Sequence, residues 1–228
     1  MNFLSDLFHL FYPKLCANCE HLLLKNENVI CTLCRHDLPE TNFTNFSNNK
    51  VTQTFYGRVS IEKAYALLFF RKTGITKKLI HELKYKGNEN IGVFFGNWLG
   101  EKLKENKEFK SVDYIVPVPI HKKRKLERGY NQVYKLAKQL SKHLEKPLAS
   151  NILERKFSDT TQTFKSRFDR FSDLEHKFYI NNTSSLENKH ILLVDDVITT
   201  GATLEACAKA LQKTKNIKIS VVTIAFTE

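Results

Sequence analysis

The most restrictive stretch of the chain is residues 191–203, ILLVDDVITTGAT. Ile191 to Val194 run apolar without alternation, the pattern of a strand buried on both faces, and such strands belong to parallel sheets covered by helices. Two adjacent carboxylates, Asp195 and Asp196, follow; then Thr199, Thr200, Gly201, Ala202 and Thr203 lead into a helix expected over about 202–214. Strand, short turn and helix make half of a βαβ unit, so this string commits its surroundings to an α/β layer arrangement. In open α/β sheets ligands bind at the carboxyl edge of the strands, where the two acids fall.

Small residues at the start of a helix let backbone N–H groups approach a phosphate, and the helix N-terminus favours its negative charge. The hydroxyls of Thr199, Thr200 and Thr203 add donors. The turn is thus an anion cradle, preceded by two carboxylates that accept hydrogen bonds from hydroxyl groups. A phosphate one sugar away from a diol, as in a ribose 5-phosphate, satisfies both halves. The bland alternative is a Thr-capped helix beside two solvated acids. A Walker loop is excluded, because its Gly-Lys-Ser/Thr ending is missing.

The other elements agree with an α/β body. KAYALLFF (63–70), VDYIVPVP (112–119) and KISVVTIAF (218–226) read as further buried strands. Leu79, Ile80 and Leu83 form one helical face, and Ile91, Phe94, Phe95, Trp98 and Leu99 a second. RGYNQVYKLAKQLSKHL (128–144) reads as a helix burying Val133, Leu136, Ala137, Leu140 and Leu144. The expected division is a helix and cysteine module over 1–40, a polar Asn/Thr-rich linker over 41–60, and the α/β domain over 61–228. With 228 residues there is room for one such domain and a small module.

CANC at 16–19 and CTLC at 31–34 are two CxxC knuckles with eleven residues between them. Each pair brings two thiolates toward one ion, so Cys16, Cys19, Cys31 and Cys34 complete a tetrahedral set with no open position, a structural Zn²⁺ site. An iron–sulfur cluster and redox-active pairs are the alternatives. Cys207, on the inward side of the last helix, reads as a small buried apolar residue.

No apolar run approaches the ~20 residues a bilayer helix needs. At the start, Phe3, Leu4, Leu7, Phe8 and Phe11 share one helical stripe, while Asp6, His9 and the lack of a basic leading region argue against a cleaved signal. A cytoplasmic protein is expected, with peripheral contact at the inner membrane through that stripe as an alternative. The formal charge of +12 favours an anionic partner: nucleic acid, phosphorylated metabolite or acidic lipid.

ILLVDDVITTGAT resembles, over its full length, the phosphoribosyl diphosphate (PRPP) signature of the type I phosphoribosyltransferases. The resemblance implies that Asp195 and Asp196 take the ribose hydroxyls. Thr199, Thr200, Gly201, Ala202 and Thr203 take the 5′-phosphate. VPVPIHKKRKLERGYNQ (116–132) supplies a rigid bend at Val118 and Pro119, then a basic loop at the same sheet edge, suited to the diphosphate. His121, Arg124, Arg128, Gly129, Asn131 and Gln132 are its candidate residues, the arginines foremost, because a guanidinium grips phosphate oxygens through two donors.

With the four cysteines ahead of it and Lys84-Tyr85-Lys86-Gly87 between, this order of motifs is similar to the ComF family, which takes in ComFC-like and GntX-like proteins. Tyr130 stands where that family usually has Phe. The family's flexible loop maps onto Arg155, Thr161, Gln162 and Arg170, with Asp173 where the family usually has Asn. The resemblance implies a type I phosphoribosyltransferase fold, a mostly parallel sheet flanked by helices, with a small N-terminal zinc module. It implies Mg²⁺-dependent displacement of diphosphate from PRPP, with Lys84, Arg128, Asp195 and Asp196 as catalytic candidates. It also implies an association with DNA uptake in natural competence, hence single-stranded DNA and a DNA-uptake helicase or membrane channel component as partners. The last apolar strand closes two residues before the end of the sequence, so an acceptor pocket is expected from residues 1–100, including Lys84, Tyr85 and the cysteine module. The acceptor stays unnamed, and a non-catalytic, PRPP-regulated single-strand-handling protein is the second reading.

Overall fold

The computed structural model describes residues 13–155, 178–180 and 184–228. Four strands, β1 (Lys63–Phe70), β2 (Tyr114–Pro117), β5 (His190–Ile198) and β6 (Lys218–Thr227), form an all-parallel sheet in the order β1-β6-β5-β2. Between β2 and β5 in the chain, β3 (Leu153–Arg155) and β4 (Phe178–Ile180) make a small antiparallel pair. In β5 only Val197 escapes full burial, as the unbroken apolar run requires of a strand covered on both faces.

Both sheet edges are covered, which removes free ladder groups that invite strand addition. Thr41 donates to the Leu67 carbonyl at 2.9 Å and Phe69 to that of Pro39 at 2.8 Å, closing the β1 edge. On the β2 edge, Ile115 donates to the Pro147 carbonyl at 3.0 Å and Ala149 to that of Ile115 at 2.8 Å.

Helices cover the two faces. α3 (Ile75–Tyr85), α4 (Asn90–Glu105) and α6 (Tyr134–Leu144) bury Leu79, Leu83, Phe95, Leu99, Leu136 and Leu140 against Leu192, Val194, Val222 and Ile224. α7 (Ala202–Leu211) packs Leu204, Cys207 and Leu211 against Ile191, Leu193 and Val221 on the other face. Each fully buried Leu, Ile or Phe contributes about 1.5–3 kcal/mol relative to exposure, so the two faces together supply the main driving force. From Ile191 to Val194 of β5, even-numbered residues face the first layer and odd-numbered residues the second, the period of a strand. The fold is that of a three-layer α/β domain, as the strand reading required.

The cysteine module is continuous with this body. α1 (Thr32–His36) carries Cys34, and Cys16, Ile30, Cys31 and Leu38 join the same apolar cluster as Phe46 and Tyr65. Residues 41–60, expected as a linker, are packed too. Asn49 caps the short helix α2 (Lys50–Gln53) in a reciprocal box with Thr52. Its amide donates to the Ala64 carbonyl at 2.9 Å, while Val51 and Phe55 are fully buried under β1. Composition concealed this: a few apolar anchors among Asn and Thr suffice to dock a short segment.

The single helix expected over 128–144 is also corrected. The cationic stretch after Pro119 forms its own helix, α5 (Lys122–Arg128), and Gly129 ends it with φ +78°. That left-handed conformation is open to glycine at no steric cost. The chain then turns through Tyr130–Val133 before α6 begins. The apolar stripe at residues 3–11 lies outside the described residues, and no described helix is long and apolar enough to cross a membrane.

Candidate functional site

The carboxyl ends of β5 and β2, the start of α7 and the α5–α6 turn converge. Because neighbouring strand residues point to opposite faces, Asp195 and Asp196 diverge. Asp196 follows Val194 toward the α3–α6 layer. There its Oδ1 meets Lys84 Nζ at 2.9 Å and its Oδ2 accepts from Gln132 Nε2 at 3.1 Å. Gln132 Oε1 in turn accepts from Arg128 Nη1 at 2.9 Å, and the Arg128 guanidinium lies 5.0 Å from the Tyr85 ring centroid. One chain of contacts therefore links Asp196, Lys84, Gln132, Arg128 and Tyr85. Asn131 donates to the Val118 carbonyl at 3.1 Å and Tyr130 to that of Leu83, fixing the α5–α6 turn against β2 and α3.

Asp195 points the other way, toward the α7 layer, and its Oδ1 accepts the Asp196 N–H at 2.8 Å. Burial pushes this carboxyl up to about 8, and the Asp196 charge adds to the rise; the Asp196 N–H, Lys84 and Arg155 only partly offset it. Cys207 is fully buried and its thiol is driven well above the usual range by that burial, so it is a packing residue. Arg155 stacks over the Phe178 ring at 5.4 Å; its Nε is buried without a hydrogen-bond acceptor among the described residues. Thr161, Gln162 and Arg170 lie outside the described residues.

At the turn, Gly201 takes φ +75° and stands as the N-cap of α7. Asp195, Val197, Ile198 and residues 199–204 line a hollow of about 40 Å³, too small for a base and suited to one small anion. Its back is formed by the supposed linker: a Cβ on Gly201 would lie 3.0 Å from Thr54 Cγ2 and 3.3 Å from the Phe55 ring. Arg58 extends from the same segment, donating to the Thr200 carbonyl at 3.0 Å and pairing with Glu205. The sequence reading missed Arg58 and Glu205; the Asn49-x-x-Thr52 capping pattern was the available signal that this segment is structured.

A second cleft, of about 220 Å³, is lined by Lys84, Tyr85, Gly87, Arg124, Glu127, Arg128 and Tyr130. It joins the acids through Lys84. His121 caps α5, its Nδ1 accepting from the Lys123 N–H at 3.2 Å. A larger cleft of about 530 Å³ between the cysteine module and α4, with Leu15, Val29, Phe94 and Trp98 in its wall, shares no residue with it. The expected diphosphate residues thus gather at one sheet edge with the acids, whereas the module's own cleft is separate.

The four cysteine sulfurs lie within 4.8 Å of one another. Cys19 and Cys31 Sγ are 3.7 Å apart, matching the roughly 3.8 Å edge of a tetrahedron with about 2.3 Å zinc–sulfur bonds. Cys31 N–H donates to Cys16 Sγ at 3.3 Å and Asn18 Nδ2 to Cys34 Sγ at 3.2 Å, hydrogen bonds of the kind that thiolate ligands attract. The donor set fits zinc, and it is closed.

Comparison with known proteins agrees. A family model described as the phosphoribosyl transferase domain matches residues 132–227. Competence protein F of Haemophilus influenzae is 38% identical over 111 residues, 48% of each chain. Competence protein ComFC of Bacillus subtilis is 28% identical over 215 residues, covering 92% of this chain and 83% of its own. DNA utilization protein YhgH of Escherichia coli is 30% identical over 136 residues, 58% of this chain and 59% of its own. The match to the Haemophilus protein thus spans about half of that relative's length. Among solved structures, a hypoxanthine phosphoribosyltransferase from Staphylococcus aureus is 18% identical with a TM-score of 0.36, over 60% of this chain and 63% of that one. The matched domain model and the parallel sheet flanked by helices give the molecule the type I phosphoribosyltransferase fold, with an N-terminal cysteine module able to hold a metal. By these comparisons, the chain is similar to ComF-type competence proteins and to DNA utilization proteins.

Proposed function

We propose that the chain binds PRPP at the β5–α7 turn and transfers its phosphoribosyl group with release of diphosphate. The observation that carries the reading is the join of a single-anion hollow at 199–204 to the buried Asp195 and Asp196. In this reading the 5′-phosphate occupies the hollow, held by backbone N–H groups and the hydroxyls of Thr199, Thr200 and Thr203. The ribose hydroxyls donate to Asp196 and share protons with Asp195. Val118 and Pro119 bound the sugar, and Arg124 and Arg128 meet the diphosphate.

The bond from the anomeric carbon to the diphosphate oxygen breaks with its electron pair leaving on oxygen, and the acceptor's lone pair forms the new bond. Positive charge grows on the ring as it does so, which Asp196 stabilises, while the arginines receive the departing charge. Mg²⁺ bound with PRPP supplies further neutralisation of the diphosphate, and the carboxylates at the mouth of the hollow are the hard oxygen donors that suit it. For the diol to reach Asp196, Lys84 must give up its ion pair and turn to the ligand. The acceptor enters from the cleft lined by Lys84, Tyr85 and Tyr130.

The names of the competence and DNA-utilization relatives support a place in DNA uptake; a membrane channel component or an uptake helicase is the partner of this reading. A second reading, PRPP-regulated handling of single-stranded DNA, is favoured by the exposed Tyr85 and Tyr134 near the cations of α5, since bases stack on aromatic rings while cations track phosphates. In that case single-strand affinity drops steeply with salt.

Calorimetric titration with PRPP and Mg²⁺ tests the central claim. The Asp195→Asn/Asp196→Asn variant should bind at least about tenfold more weakly, the loss expected when charge-assisted hydrogen bonds go. Equal affinities would remove PRPP from the site. Release of diphosphate with a pool of bases or nucleotides separates turnover from binding.

A further inference from the structure

The phosphate turn of α7 is held from behind by a side chain that no motif in the chain marks. Arg58 sits after α2, with its Nη1 donating to the carbonyls of Thr54 at 2.9 Å and Thr200 at 3.0 Å. Its Nε donates to Glu205 Oε2 at 2.8 Å, and Nη2 joins the same oxygen. The guanidinium thus ties the supposed linker, the turn and the first turn of α7 into one unit. Glu205 is only 13% exposed and Arg58 32%, so this is no solvent-screened surface pair.

Two physical consequences follow. A trans peptide is planar, with its C=O and the next N–H pointing opposite ways. Pinning the Thr200 carbonyl outward onto Arg58 therefore turns the Gly201 N–H inward, toward the hollow. Second, Glu205 lies in the first turn of α7, where a carboxylate suits the helix dipole but repels an anion bound at the same end. Arg58, with Lys209 at 3.0 Å on the other oxygen, cancels that charge. Burial works to raise the Glu205 carboxyl, yet the hydrogen bonds from Arg58 and Lys209 outweigh it and hold it below the usual range.

We infer that Arg58 is a positioning residue for the phosphate-binding turn: it orients the Thr200–Gly201 peptide toward the ligand's 5′-phosphate and neutralises Glu205 beside it. Arg58 touches no ligand atom itself. This rests on the proposed reading that the hollow takes a phosphate of PRPP.

The test is calorimetric titration of the full chain with PRPP, and with ribose 5-phosphate, which carries the same 5′-phosphate without the diphosphate. Arg58→Ala should weaken both by about tenfold or more, the usual effect of losing a hydrogen bond to a charged group. The Arg58→Ala/Glu205→Gln double variant should recover part of that loss, because the carboxylate beside the turn has gone while the peptide stays unpinned. A role in folding alone would give no such recovery, and thermal unfolding of each variant reports the folded fraction. Arg58→Lys keeps the ion pair without the second arm; it should fall between wild type and Arg58→Ala, and it serves if the alanine variant fails to fold. Wild-type affinity in both Arg58→Ala and Arg58→Lys would overturn the inference. Failure of the wild type to bind either sugar phosphate would instead overturn the proposed function.

Discussion

Lys84 and Asp196 are far apart in the chain, and their 2.9 Å contact gives the acid pair a polarity that adjacency alone does not contain. Asp196 pairs with an ammonium and accepts from an amide, while its neighbour turns to the opposite sheet face and is buried there. Two like charges one residue apart are best accommodated when one keeps its proton, and burial selects Asp195 for that. The stability consequence has a definite sign. Unfolded, Asp195 releases its proton near 3.8; folded, it holds the proton up to about 8. Between those values the folded state binds more protons, so stability falls as pH rises from about 4 to about 8 and levels off above. Asp195→Asn keeps the neutral shape and should flatten this slope. Thermal midpoints of wild type and variant at pH 5 and pH 8 check it: parallel shifts in the two proteins would show that Asp195 is ionised at neutral pH. The candidate residues were legible because their chemistry is local to short strings. Which acid faces which layer was not, since that depends on the register of β5 against its neighbours.

At the scale of elements, α4 and α6 approach closely, and their contact rests on glycines whose spacing the apolar reading of α4 overlooked. Gly92, Gly96 and Gly100 recur every four residues on the face of α4 that meets α6. A Cβ at Gly96 would lie 2.7 Å from Gln139 Cβ and 2.9 Å from the Leu136 carbonyl, and one at Gly100 2.6 Å from the His143 ring. At Gly92 the nearest atom, Lys135 Cβ, is 3.4 Å away, an ordinary contact. Backbones this close exclude even a methyl group, and overpacking of this kind costs about 1–3 kcal/mol. Gly96→Ala should therefore destabilise the protein by about 2 kcal/mol despite the better helix propensity of alanine, whereas Gly92→Ala should be neutral or stabilising. Urea unfolding of the two variants reads the contrast, and equal stability would show that the helices can separate without penalty. Because α6 carries the α5–α6 turn, the same closeness places Gln132 against Asp196. The strands and long helices were legible from their periodicity. The break at Gly129 was not, because cationic residues suit an exposed helix and a loop equally.

Across the whole molecule, the question is whether the cysteine module is an appendage or part of the body. Expected boundaries at residues 40 and 60 rested on composition, which registers polarity but not where a few anchors go. Phe46 packs on Tyr65 at 5.1 Å and on Phe109 at 5.3 Å, tying the polar stretch to β1 and to the segment before β2. Lys78 of α3 donates to the Asn18 carbonyl at 2.5 Å inside the first knuckle. Arg35 of α1 lies 4.8 Å from the Trp98 ring centroid on α4, and Lys102 pairs with Glu40 at 2.9 Å. The module thus shares one apolar cluster with α3 and α4, the helices that hold Lys84 and back α6. Four thiolates within 4.8 Å need a cation to accompany their ionised form, and the free energy of such binding is folding free energy. Purified protein should carry one equivalent of zinc. Removing it with a strong chelator, or replacing Cys16 with Ser, should lower the thermal midpoint of the entire chain in a single transition, not melt a separate small unit. PRPP affinity at a temperature where the chelated protein remains folded should fall with it, because α3 loses the Asn18 anchor behind Lys84. A chelated protein that keeps its main transition unchanged, and loses only a minor early one, would show that the shared cluster stands without the module.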